Sequence, residues 1–183
     1  VNFGTPNANP PAGNTDRSRV VGRVDLGAGA GDRLDISGSD LFTAVAVDST
    51  VSATGRSGTI TGINGDPALL SNGFAGVDDL RGNGKGAIVG ANAATFWRVT
   101  GTNRGEFSTN SGDIGAPGAA AGAIGASTFI NFAIRGGTAA DTYIFDSAGF
   151  IQIGITDTGG ANVLVGSAGA DTLMEWPLMA LLQ

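Results

Sequence analysis

Short runs of β-branched and aromatic residues follow one another from Val20 to Leu173, each bounded by Gly, Ser, Asn or Asp. The runs Val20 to Leu26, Arg33 to Ile36, Phe42 to Val47, Val51 to Thr54 and Thr59 to Ile63 read as strands. So do Ala87 to Val89, Phe96 to Thr100, Phe129 to Ile134, Thr142 to Phe145, Ile151 to Ile155 and Val163 to Val165. No apolar periodicity of helical length intervenes. A spacing of about 8 to 12 residues suits a parallel β-helix and equally a β-sandwich. The expected fold is therefore all-β, a parallel β-helix or β-solenoid with irregular loops, with a β-sandwich as the alternative.

A repeated word favours the solenoid. Glycine, four residues of any kind, aspartate or alanine, one residue, then an apolar residue occurs at Gly27 to Leu34, Gly82 to Val89, Gly136 to Tyr143 and Gly166 to Leu173. A recurring turn-then-strand unit is how stacked coils shield one another's apolar faces.

Three regions follow from this pattern. Residues 1–19 carry Pro6, Pro10 and Pro11 among small polar residues and read as an extended arm. Residues 20–173 form the β-solenoid domain. Residues 174–183 are an apolar tail, either a cap on the last coil or an association segment, in which Trp176, Leu178, Met179, Leu181 and Leu182 would make the contact. Inside the domain, residues 111–127 are rich in Ala and Gly around Pro117 and read as a surface loop. The chain starts on Val1 without a signal-peptide pattern, which suggests a processed form or a piece of something longer.

Composition narrows the chemistry. Of 183 residues 32 are glycine and only 14% are charged, a mixture that turn-rich β-structure tolerates better than helices do. There is no cysteine and no histidine, so no thiol nucleophile, serine–histidine relay or zinc site can be assembled. A net charge of −6 with scattered arginines offers no basic stripe for nucleic acid. No stretch of apolar residues is long enough for a membrane span.

Words in residues 74–173 carry a resemblance. Phe96-Trp97-Arg98-Val99-Thr100-Gly101 with Gly105, Phe129-Ile130-Asn131-Phe132, Ile134-Arg135-Gly136-Gly137 and Ala140-Asp141-Thr142-Tyr143-Ile144-Phe145 resemble the glycine-rich β-strand repeats of very large bacterial surface and secreted proteins. Those proteins are described as filamentous-haemagglutinin-like or adhesin-like. The resemblance implies a parallel β-solenoid, an extracellular or cell-surface location and a structural or adhesive role rather than an enzymatic one. Expected partners are other copies of the chain, in an oligomer or filament, or cell-surface glycans.

Two other chemistries are open. Gly166 to Leu173 resembles a calcium-binding nonapeptide, with weaker matches at Gly136 and Gly27, which makes Asp32, Asp141 and Asp171 candidate calcium ligands. The copies lie 30 or more residues apart, however, and the same aspartates serve equally well as acceptors for turn amides. Asp78-Asp79 and the pair Asp32 and Asp35 are the acid clusters dense enough for a polysaccharide-active β-helix. A solvated turn explains them as well. No cofactor is expected, and no catalytic residue is assigned.

Overall fold

In a computed structural model the described residues are 20, 22–39, 43–47, 55–62, 70–118 and 126–168. They form fourteen strands: β1 (Val24–Asp25), β2 (Arg33–Asp35), β3 (Thr43–Val47), β4 (Arg56–Gly62), β5 (Leu70–Val77), β6 (Asp79–Arg81) and β7 (Ala87–Val89). The second half holds β8 (Phe96–Gly101), β9 (Arg104–Ser108), β10 (Ser127–Ile130), β11 (Ala133–Arg135), β12 (Thr142–Phe145), β13 (Ile155–Thr156) and β14 (Val163–Val165). The only described helix is a single 3-10 turn at Ser111–Asp113.

The strands make two mixed, seven-stranded sheets. The first runs β1-β5-β4-β3-β7-β11-β13 and the second β2-β6-β10-β9-β8-β12-β14. The chain alternates between them except at two antiparallel meanders, β3-β4-β5 and β8-β9-β10. Each meander is entered in the middle of a sheet and doubles back, so that β5 lies beside β1 and β10 beside β6. After the second meander the chain adds one parallel strand at a time: β11 on β7, β12 on β8, β13 on β11 and β14 on β12. The two sheets thus end on β13 and β14.

One apolar cluster takes residues from both sheets. Val45, Ile60, Phe74, Ile88 and Ile134 come from the first, and Leu34, Leu80, Trp97, Val99, Phe107, Phe129 and Tyr143 from the second. Register explains the aromatic centre. Trp97 lies directly opposite Phe107 across β8 and β9, so their rings stack at 5.1 Å, while Phe129 from β10 meets Trp97 edge-on at 6.1 Å. Gly105 permits this pairing, because a Cβ there would fall on the carbonyl of Arg98.

The structure bears out the all-β expectation, and strand positions 87–89, 142–145 and 163–165 match the apolar runs. The meanders are what the pattern did not announce. β9 reads Arg-Gly-Glu-Phe-Ser and β5 Leu-Ser-Asn-Gly-Phe-Ala-Gly-Val, with no β-branched residue before Val77, and both take their strand geometry from neighbours on either side. The run Phe129 to Ile134 splits, since Asn131 turns with φ 60 and sends β11 to the other sheet. Val51 to Thr54, the arm 1–19 and the tail 174–183 lie outside the described residues.

Candidate functional site

Polar side chains concentrate at the turns that lead into β8, β12 and β14. Thr95, Asp141 and Asn162 occupy equivalent places there, because Phe96, Thr142 and Val163 stand in register. A carboxylate oxygen of Asp141 accepts from the Thr95 amide at 2.8 Å, and Asn162 Oδ1 accepts from the Asp141 amide at 2.9 Å. Each of these turns thus satisfies a backbone donor of the turn before it, a group that would otherwise be orphaned.

Asp141 is fully buried, and its second oxygen accepts from the Gly137 amide at 3.1 Å. Beside it the Tyr143 hydroxyl donates to Asp157 Oδ2 at 2.6 Å. All three side chains crowd against Gly136, where a Cβ would collide with Asp141, Tyr143 and Asp157 together. Burial pushes the Asp141 carboxyl above the ordinary 3.8; the Thr95 and Gly137 amides pull it back, and neighbouring Asp157 pushes it up again. For Asp157 burial is outweighed by the Gly159 amide, Tyr143, Asn162 and the Thr158 amide, which leave it below the ordinary value. Burial and the two acids push the Tyr143 phenol up. Of the two carboxyls, Asp141 is therefore the one that takes up a proton first.

This splitting fixes a pH dependence. A carboxyl whose folded pKa is raised makes the fold more stable as pH falls through that pKa. Asp141→Asn keeps the Thr95 bond but lacks the proton uptake, so its stability deficit relative to the parent grows on acidification from pH 7. Urea unfolding across a pH series reads the difference, and a deficit that shrinks toward acid contradicts the assignment.

The remaining charges serve to tie strands together. Asp79 receives Arg33 at 2.6 Å, Arg81 at 3.0 Å and the Thr128 hydroxyl at 2.9 Å, joining β2, β6 and β10. Asp78 accepts from the Gly31 and Asp32 amides at 2.8 and 3.0 Å. The adjacent acids read as a possible solvated turn are thus both engaged across strands. Arg98, fully buried on β8, donates to Asp146 and Glu106. The 111–127 insert is tied to this group through Gly118, whose amide donates to Asp146. Arg56 is buried without an ion-pair partner at hydrogen-bond distance: it stacks over Phe107, donates to Ser127 Oγ and the Phe107 carbonyl, and leaves Nη1 unpartnered. Burial lowers its pKa to about 10, against a smaller opposing effect of Asp113. A lone arginine on a strand gives no sequence signal for such burial.

The candidate ligands do not converge. Asp32 precedes β2 at one edge of the second sheet, and Asp141 precedes β12 next to the other edge. Asp171 lies outside the described residues, as do Trp176, Leu178, Met179, Leu181 and Leu182. Among the described residues no group of three or more acids is placed to hold a metal ion, and no helix is long and apolar enough to cross a membrane.

No family model, curated protein or solved structure matches this chain.

The two ends of the sheets differ in cover. Leu34, on the edge strand β2, is 1% exposed, whereas Leu164, on the opposite edge strand β14, is 53% exposed. The exposed large hydrophobic residues among those described are Phe150, Ile153, Val163 and Leu164, all in the last stretch of the described chain. Phe150 is 52% exposed at this end. It is held there by backbone bonds with Gly101 and Asn103.

Proposed function

We propose that this chain is a segment of a secreted or cell-surface structural protein, adhesin-like or filament-forming, that works by contact rather than catalysis. The observation that carries the reading is the end of the two sheets: among the described residues β13 and β14 are their outermost strands, and the exposed large hydrophobic residues, Phe150, Ile153, Val163 and Leu164, all fall in this last stretch. Edge strands with unpaired amides and carbonyls are templates for further strands, and exposed apolar patches mark association sites.

We read the fold as a solenoid. In support, parallel partners recur at long and similar separations: Arg33 and Asp79 are 46 residues apart, Thr128 and Asp79 49, Thr95 and Asp141 46. The last coil shortens the step to 21 between Asp141 and Asn162. The meanders are then insertions within a coil.

Light scattering on the whole chain and on a chain ending at Leu173 tests the contact role. Self-association that falls away with residues 174–183 is the expected result. A monomer in both cases counts against the reading.

A polysaccharide-active protein is the competing class, and its one foothold is the Asp141–Asp157 pair. Asp141 is sealed from solvent, which weighs against its meeting a sugar. Turnover of any polysaccharide in a reducing-end assay reverses the ranking.

A further inference from the structure

Two Asn-Gly pairs lie among the described residues, Asn72-Gly73 on β5 and Asn83-Gly84 in the turn after β6, and the fold treats them oppositely. Asparagine is chemically labile, and a following glycine exposes it most, because without a Cβ its amide nitrogen can approach the side chain before it. At Asn83 that approach is blocked. Its Oδ1 accepts from the Lys85 amide at 2.9 Å, its Nδ2 donates to the Ser39 carbonyl at 2.7 Å, and the Gly84 amide donates to the Asn131 carbonyl at 3.0 Å. Asn72 is exposed, and no described hydrogen bond engages its side chain. The fold also dictates the glycine that follows it. From the pair Gly58 and Phe74 to the pair Ile60 and Leu70, β4 advances two residues while β5 advances four, so Asn72 and Gly73 sit in a bulge. Gly73 has φ 78, and a Cβ there would fall on the Gly58 carbonyl.

We infer that Asn72 is a deamidation site built into β5, converted to an acid by water alone, and that its conversion loosens the β1 edge of the first sheet. The Gly73 nitrogen adds to Asn72 Cγ, and the Cγ–Nδ2 bond breaks. The proton of the Gly73 amide, relayed by water, leaves with the amino group as ammonia. The five-membered imide then takes up water at either carbonyl. Opening at one gives aspartate; opening at the other gives isoaspartate, whose main chain runs through the former side chain and is one methylene longer. That extra methylene falls where the edge strand is held. β1 is the outermost strand of its sheet, with β5 beside it. The Asn72 amide donates to the Gly22 carbonyl at 3.2 Å, two residues before the register of Val24 with Phe74 begins. Isoaspartate at 72 moves this donor out of line with its acceptor and weakens the pairing next to it, so the site works as a slow clock on β1.

The whole chain, incubated folded in mildly alkaline buffer and separately in urea, is mapped by mass spectrometry. Fragment ions separate Asn72 from Asn64, which also precedes a glycine. In the folded chain Asn72 should convert at least about tenfold faster than Asn83, the factor that having to break one ordinary hydrogen bond supplies. In urea the two rates should converge. Equal rates in the folded chain, or Asn83 the faster, overturn the inference. The effect on β1 is read by hydrogen exchange at the Leu26 amide, which donates to the Ala75 carbonyl at 3.1 Å. Its exchange should quicken as incubation proceeds, and should not do so in Asn72→Gln, which keeps an exposed amide but closes the larger ring far more slowly. Quickening in both chains, or in neither while Asn72 converts, overturns the link to β1.

Discussion

Arg98→Ala is expected to destabilise the fold by about 3–5 kcal/mol, the range for breaking a buried ion pair by removing one partner. Arg98 is fully buried and Glu106 is 1% exposed, so the substitution leaves a carboxylate in the interior without its 3.0 Å partner. Asp146, at 2.8 Å on the other side, is partly solvated and suffers less. Replacing Arg98 and Glu106 together by methionine should recover most of the loss, because the penalty lies in the uncompensated charge rather than in the missing attraction. Urea midpoints for the single and double variants decide it, and a double variant no better than Arg98→Ala refutes the account. Acid adds a signature. Burial raises the Asp146 carboxyl, but Arg98 and the Gly118 amide outweigh it and hold it below 3.8. A depressed carboxyl contributes stability that is lost as pH falls from its unfolded value through its folded one. Arg98→Ala should flatten that acid loss.

Trp97→Ala should cost about 3–5 kcal/mol through the cavity left between the sheets. Trp97 is fully buried and its ring contacts both Phe107 and Phe129. Trp97→Phe is expected to cost clearly less, since it keeps a ring in the stack and removes an indole N–H that has no hydrogen-bond partner. The check is denaturant unfolding followed by circular dichroism, with an unchanged slope and a shifted midpoint. A Trp97→Ala loss within about 0.5 kcal/mol, the scale of surface substitutions, would mean that the ring is not at the centre of the core. Trp97 and Arg98 are chain neighbours whose side chains point to opposite faces of one sheet, so the pair also tests whether the inner and outer faces of β8 matter equally.

Much of this architecture is legible in the sequence because alternation and glycine turns report local geometry. Ala87–Val89, Thr142–Phe145 and Val163–Val165 are read correctly for that reason. What stays hidden depends on partners far along the chain. β9 is a strand because Phe107 faces Trp97 on one side and Ser127 on the other, which Arg-Gly-Glu-Phe-Ser does not disclose. The candidate site is half legible. Asp141 stands out by its place in a repeated word, yet Asp157 joins it only because Gly136 leaves room for both side chains, and no spacing rule pairs those two acids. Arg56 and Arg98 show the same limit from the other side, since a buried arginine and a solvated one look alike in a polar position.

The long separation between parallel partners governs how the molecule must be assembled. The hairpin of β8 and β9 closes as soon as Arg104–Ser108 exists, but β8 gains its other neighbour only with Thr142–Phe145. Contacts so distant along the chain slow folding, because the loop-closure entropy is lost before the contact returns anything. A chain emerging N-terminus first from a ribosome therefore has each meander in hand before the parallel strand that covers it arrives. After each meander the unfinished edge is therefore its first strand, β3 or β8, and not its newest.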